Sequence, residues 1–338
     1  MRRNPAYDIL RVSAIFFVVW LHVATAAVMP AAALERPGWL SADVLAAFSR
    51  WSVPAFVLLS GALLLDRPLH RDPRLFYRTR FRRILLPLLF WSVFYILWIF
   101  LNDRRIDFAS LVQPLLEGKP YYHLWFMFMI AGLYLAAPLI SALRARLKPA
   151  GQLTLAGVIL AAGMLDIYLR RNAGASGMWF PFLWLPYTGY FLLGRWLAEH
   201  TPRFSIGFYA AVFVLSCLLT AAVAAGLLAL GSPSLPWDLA FEYFSPGVAL
   251  AAAAAFRCCQ RLDPAALENV SGPLFDLAGL TFGVYLIHPI FLDLFIKFGG
   301  RVDAAPPLLI PLVSLAIFGL SLGLAALLAA HPRLKRLI

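Results

Sequence analysis

Arg11 and His22 occupy one apolar stretch near the N-terminus, Ile9-Leu-Arg-Val-Ser-Ala-Ile-Phe-Phe-Val-Val-Trp-Leu-His22. Eleven positions at roughly 100° each come to about 1100°, close to three full turns, so both side chains share one helix face. At about 1.5 Å rise per residue the imidazole lies roughly 16 Å further along the axis than the guanidinium. In hydrocarbon each such residue costs roughly 2.5 kcal/mol or more, which makes it a functional candidate by default. A cation at the mouth and an imidazole deeper in would attract an anion and then handle a proton.

Other polar groups can be placed against this pair. Asp8 lies three residues before Arg11, a helical neighbour position suited to a local ion pair. His288 falls inside a later apolar window, and His123 stands at the start of another. A dense arginine run, Arg74-Leu-Phe-Tyr-Arg78-Thr-Arg80-Phe-Arg-Arg83, leads into Ile84-Leu-Leu-Pro87. Its plainest role is a basic anchor at the membrane surface. Guanidinium forks also suit bidentate phosphate binding, so a phosphorylated cytosolic donor fits it as well. Glu242 and Asp166 are acidic groups in apolar windows without a partner that the sequence names, and Trp125, Trp179 and Trp184 fit interfacial belts. Cys217, Cys258 and Cys259 have no metal-ligand or disulfide spacing, so no metal site is expected.

The elements that must position these groups are membrane helices. Of 338 residues 62% are hydrophobic and 14% charged, and the mean hydropathy is +0.79. Soluble domains of this size do not have such a composition, and the class expected is an all-α, polytopic membrane bundle. Apolar windows able to cross a roughly 30 Å core fall near 9–30, 44–65, 84–101, 123–141, 151–169, 178–197, 206–230, 239–256, 274–297 and 307–330. That gives about ten helices in a single domain, 1–338. The window at 178–197 is broken by Pro181 and Pro186, and that at 239–256 carries Glu242 and Pro246. Arg2, Arg3, the apolar run and Ala31-Ala32-Ala33 imitate a signal peptide, but the run is long for one, so a retained first span is expected. With both termini cytoplasmic, 19 of the 29 Lys and Arg residues fall on the inner side and 9 on the outer, with Arg11 in the first span. The net charge of +12 therefore reads as membrane orientation and contact with membrane lipid, with no nucleic-acid partner.

Five blocks stand in order along the chain: Arg11-x10-His22, Val53-Pro-Ala-Phe-Val-Leu-Leu-Ser60-Gly61, the Arg80-Phe-Arg-Arg83 pair, and two histidine blocks, Tyr121-Tyr-His-Leu-Trp-Phe126 through Ala137-Pro-Leu-Ile140 and Thr281-Phe-Gly-Val-Tyr-Leu-Ile-His288. Together they resemble the acyltransferase-3 family, bacterial integral-membrane O-acyltransferases. The histidine blocks look especially like the branch containing the enterobacterial common antigen O-acetyltransferase. The resemblance implies acetyl-CoA, or another acyl-CoA, as co-substrate with no bound cofactor. It also implies a glycan or lipid-linked sugar hydroxyl as acceptor and the bacterial cytoplasmic (inner) membrane as location. His22 would be catalytic with Arg11 beside it. Arg80, Arg83, Ser60 and Gly61 would lie at the acyl-CoA, and His123, Trp125, Tyr285, His288 and Asp8 would face the acceptor or support the site.

Elementary chemistry agrees. Transfer from a thioester to an alcohol needs a base near neutrality, for which histidine is the usual side chain. The oxyanion needs a donor, for which Arg11, Ser60 or Tyr285 would serve. A secondary transporter of a small anionic or sugar substrate is the competing class. It too would have about ten spans and intramembrane histidines, but the chain has no paired interruptions in two halves.

Overall fold

The computed structural model describes residues 4–29, 38–66, 69–102, 113–115, 117–175, 180–263, 265, 267–268 and 271–338. Arg2, Arg3, the Ala31–Ala33 stretch, Arg36, Arg67, Arg104, Arg105 and Trp179 lie outside them. All regular structure among the described residues is helical. In chain order the helices are α1 (Pro5–Val28), α2 (Trp39–Ala47), α3 (Ser52–Leu64), α4 (Pro73–Asn102), α5 (Trp125–Ala145) and α6 (Pro149–Asn172). They continue with α7 (Thr188–Glu199), α8 (Ile206–Leu230), α9 (Pro246–Gln260), α10 (Ser271–Lys297) and α11 (Pro306–Ala330).

Local chemistry sets several of these ends. Asn4 caps α1 by accepting from the Ala6 amide at 3.0 Å, with Pro5 at the first helical position, where a missing N–H costs nothing. Ser205 and Ser245 cap α8 and α9 in the same way, and Gly231 closes α8 in the left-handed region at φ 59°.

Among the described residues nine stretches are long and apolar enough to cross a membrane, with α2 and α3 counted as one. The window at 178–197 is not one of them. Pro181 and Pro186 interrupt it, Phe180–Phe182 forms only a 3-10 turn, and α7 keeps 12 residues, or about 18 Å of rise. α7 nevertheless supplies a return leg. Arg195 on α7 donates to the Ala62 carbonyl at 3.3 Å and pairs with Asp66 at 2.6 Å, so α7 and α3 end at the same face. Arg144 joins that face through Glu199 and the Leu65 carbonyl.

α1 is the central helix, packed against α2, α3, α9, α10 and α11. Trp20 donates to the Leu45 carbonyl at 3.0 Å and Trp39 to the Val28 carbonyl at 3.3 Å, which ties α2 along α1. Large apolar side chains such as Leu97 and Leu327 (55% and 72% exposed) point outward, as lipid contact requires. Inside, two apolar cores form. One gathers α3, α7 and α9, and the other gathers α1, α2, α10 and α11. Phe56, Trp125, Phe126 and Tyr243 pack against both cores, and the seam they mark is where the polar residues converge.

Candidate active site

A cavity of about 200 Å3 lies in that seam, with Arg11, His22, His123, Trp125, Tyr243 and Tyr285 among its lining residues. It is smaller than the roughly 300–1,000 Å3 of typical whole-ligand sites. α1 presents Arg11 and His22 to this one space, as their spacing requires.

Three histidines from three parts of the chain meet here. The His22 and His288 rings stack with centroids 5.1 Å apart, and His123 lies 5.5 Å from His288. His288 is fully buried, with Nδ1 3.2 Å from the Val284 carbonyl, and His123 is 2% exposed. Neither ring nitrogen of His123 and not Nε2 of His288 has a hydrogen-bond partner among the described residues. Leaving a buried polar atom unpaired costs about 1–3 kcal/mol, and such atoms concentrate where chemistry is done.

Tyrosines hold this cluster. Tyr285 donates to the His123 carbonyl at 2.6 Å, and Tyr95 donates to the Leu286 carbonyl at 2.6 Å. The Tyr122 ring lies 4.9 Å from that of His22. Behind them Asp293 accepts from Tyr121 at 2.5 Å and from Trp98 at 2.8 Å. The Tyr285→Phe variant is expected to lose about 1–3 kcal/mol of stability, because the buried carbonyl of His123 loses its donor. Thermal unfolding in detergent checks this, and an unchanged melting temperature would count against a holding role.

At the end of the bundle where α1 begins, Asp8 pairs with Arg11 at 2.7 Å. Ser60 is within hydrogen-bonding reach of the Tyr134 hydroxyl, and the charges of Arg80 and Arg11 act on the same hydroxyl. Arg83 lines a separate, larger cleft at this end. Gly61 sits at the crossing of α3 and α7, where its Cα faces the backbone of Phe191.

Several residues of the site went unmarked in the sequence. Arg50, counted there only as an outer-side charge, sits in the break between α2 and α3. Its guanidinium lies 4.8 Å from the Phe241 ring centre and within reach of Tyr243, a cavity residue. Asp43, fully buried one turn into α2, has no hydrogen-bond partner among the described residues and feels the charge of Arg50. Pro54 just inside α3 was the available signal for that break. Asp293 is a carboxylate in an apolar span and was open to the rule that singled out His22. Glu242 and Asp166 prove to be partnered, Glu242 with Arg171, and Asp166 with Arg170 at 2.8 Å. Among the described residues no group of His, Cys, Asp and Glu could hold a metal ion.

The fold is that of a multi-pass membrane protein, a helical bundle whose internal cavity brings an arginine together with a cluster of imidazoles. A family model described as an acyltransferase domain, of the acyltransferase-3 type, matches residues 4–329, and the chain belongs to that family of membrane acyltransferases. No curated protein and no solved structure matches the chain.

Proposed function

We propose that this protein moves an acyl group, in the simplest case acetyl, from cytosolic acyl-CoA to a hydroxyl of a cell-surface glycan or lipid-linked sugar. The observation that carries the reading is the single cavity shared by Arg11, His22, His123 and Tyr285. His22 serves as general base or as acyl carrier, and Arg11 or Ser60 supplies the oxyanion donor, since the one hydroxyl proton of Tyr285 is held by the His123 carbonyl. Arg80 and Arg83 meet the donor's phosphates, for which arginine forks are suited. The positive-inside bias supports cytoplasmic termini and, with the family, a bacterial inner membrane. The histidine blocks favour the branch of the enterobacterial common antigen O-acetyltransferase.

The acceptor approaches from the opposite end, past Trp125, Tyr243 and Arg50. Trp125 stacks on Tyr243 with centroids 5.7 Å apart, an aromatic face suited to a sugar ring. His123 and His288 border the hydroxyl's path, and Asp8 holds Arg11.

The test is acyl-CoA binding and slow hydrolysis by detergent-purified protein, wild type beside the Arg80→Ala/Arg83→Ala variant. Wild-type binding that weakens at least tenfold in the variant is expected, since each charge-assisted contact is worth roughly 1.5–3 kcal/mol. No wild-type binding at millimolar acyl-CoA would remove the acyltransfer reading and restore the transporter.

A further inference from the structure

A second cleft, of about 1050 Å3, opens between α4, α10, α11 and the short C-terminal turn Leu334–Leu337. Its lining carries three cations, Arg83, Lys335 and Arg336, against one carboxylate, Asp276. Arg83 comes from the arginine run, whereas the other two come from a turn some 250 residues away in sequence. All three are exposed, so a solute reaches them directly.

The turn is held in place. Trp91 of α4 donates its indole N–H to the Leu337 carbonyl at 2.8 Å, and the Lys335 amide donates to the His331 carbonyl at 2.9 Å. Ile338 lies against Gly283 of α10, where an added Cβ would come within 3.4 Å of the Ile338 side chain. The backbone that carries the two cations is thus held next to α10, which also lines the reaction cavity.

The cleft and the cavity share a wall. Phe282 lines both, Leu280 lines the cleft, and Thr281 lines the cavity. Phe282 on α10 is therefore a wall residue common to a basic, solvent-open cleft and the space holding Arg11 and His22. A molecule with phosphates at one end and an uncharged arm ending in a thioester matches this sequence of environments.

We propose that the C-terminal turn completes the donor site, with Lys335 and Arg336 joining Arg83 around the phosphates of acyl-CoA while the pantetheine arm passes Phe282 to His22. This rests on the acyl-CoA reading above. It assigns the phosphate end to the cleft formed by three helices and the turn, and it makes Phe282 the gate through which the acyl group enters.

The experiment uses the full chain in detergent and reads acetyl-CoA hydrolysis and binding by calorimetry. Lys335→Ala/Arg336→Ala is expected to raise the acetyl-CoA KM and Kd at least tenfold with kcat within a factor of about two, and to flatten the salt dependence. Phe282→Trp is expected to lower kcat severalfold while the Kd for free CoA stays at the wild-type value. S-acetylpantetheine, which lacks the phosphates, needs no variant. The wild type should require it at a concentration at least a hundredfold higher than acetyl-CoA, and the Lys335/Arg336 variant should narrow that ratio.

Equal KM values for the two donors in the wild type would overturn the proposal. So would a folded double variant with unchanged KM and Kd whose Arg83→Ala counterpart loses binding, because the turn would then be structural. If the wild type binds no acetyl-CoA at all, the acyl-CoA reading fails first, and the two failures are told apart by that single measurement.

Discussion

His22→Ala is expected to abolish acyl transfer, lowering kcat by about 10²–10⁴ or more, while acyl-CoA binding stays near wild type. The imidazole lines the internal cavity together with Arg11, and its ring stacks on His288 at 5.1 Å. Removing it leaves the cleft that would receive the donor untouched. Acting as a base, His22 takes the acceptor's hydroxyl proton as the oxygen attacks the thioester carbonyl; the C–S bond breaks and the leaving thiolate takes up the proton. As an acyl carrier, its nitrogen attacks the thioester first and the thiolate leaves; the hydroxyl then attacks the acyl-imidazole, the C–N bond breaks to return the neutral imidazole, and the hydroxyl proton passes to the thiolate. Intact-mass measurement after mixing with acyl-CoA and no acceptor separates the two, since only the carrier route adds the acyl mass to the protein. Wild-type turnover in His22→Ala would remove both routes. Lost turnover together with lost binding would instead place His22 in the donor pocket. His22→Gln, which keeps a polar side chain of similar size without a usable base, should be as inactive as the alanine variant.

The α1 stripe was legible because helical period alone decides which side chains share a face, and Arg11 and His22 do meet one cavity. The meeting of His22 with His288 and His123 was not, because it depends on α10 packing against α1 and on the turn before α5, contacts that no local pattern encodes. The same limit hid Tyr122 and Tyr243, aromatic residues indistinguishable in sequence from interfacial anchors. The break at Arg50 was hidden for another reason. A helix break inside an apolar window looks like a continuous span to a hydropathy reading, so nothing marked this arginine as lying between two helices. The window at 178–197 failed in the opposite direction. Its apolar residues filled a membrane-length stretch, but two prolines confine the α-helix there to α7, which is only 12 residues long. The Asp166–Arg170 pair, in contrast, was available from its i,i+4 spacing.

Gly61→Val and Gly194→Val are each expected to yield little or no folded protein. α3 and α7 cross so closely that a Cβ on Gly61 would stand 1.9 Å from the Phe191 carbonyl oxygen, and one on Gly194 would stand 1.9 Å from the Leu58 carbonyl oxygen. The obstacles are backbone atoms of hydrogen-bonded helices, which no rotamer change can move. The two helices must part, and parting them disturbs Leu58, Phe191 and Tyr190 in the core next to the site. Overpacking usually costs about 1–3 kcal/mol, and a rigid backbone contact belongs at the upper end or beyond it. Small residues at such crossings are what allow membrane helices to pack without a hydrophobic drive between them. Even Gly61→Ala should lower the melting temperature clearly. Gly157→Ala, where nothing lies within 4 Å of the added Cβ, should leave it unchanged. The family resemblance places Gly61 at the donor, and the crossing offers a different account of the same residue. If Gly61→Ala melts like the wild type but no longer binds acyl-CoA, the glycine serves the donor directly. If it melts early, and the surviving folded fraction binds acyl-CoA with wild-type affinity, its contribution is to let α3 approach α7 and so to set the wall that carries Ser60.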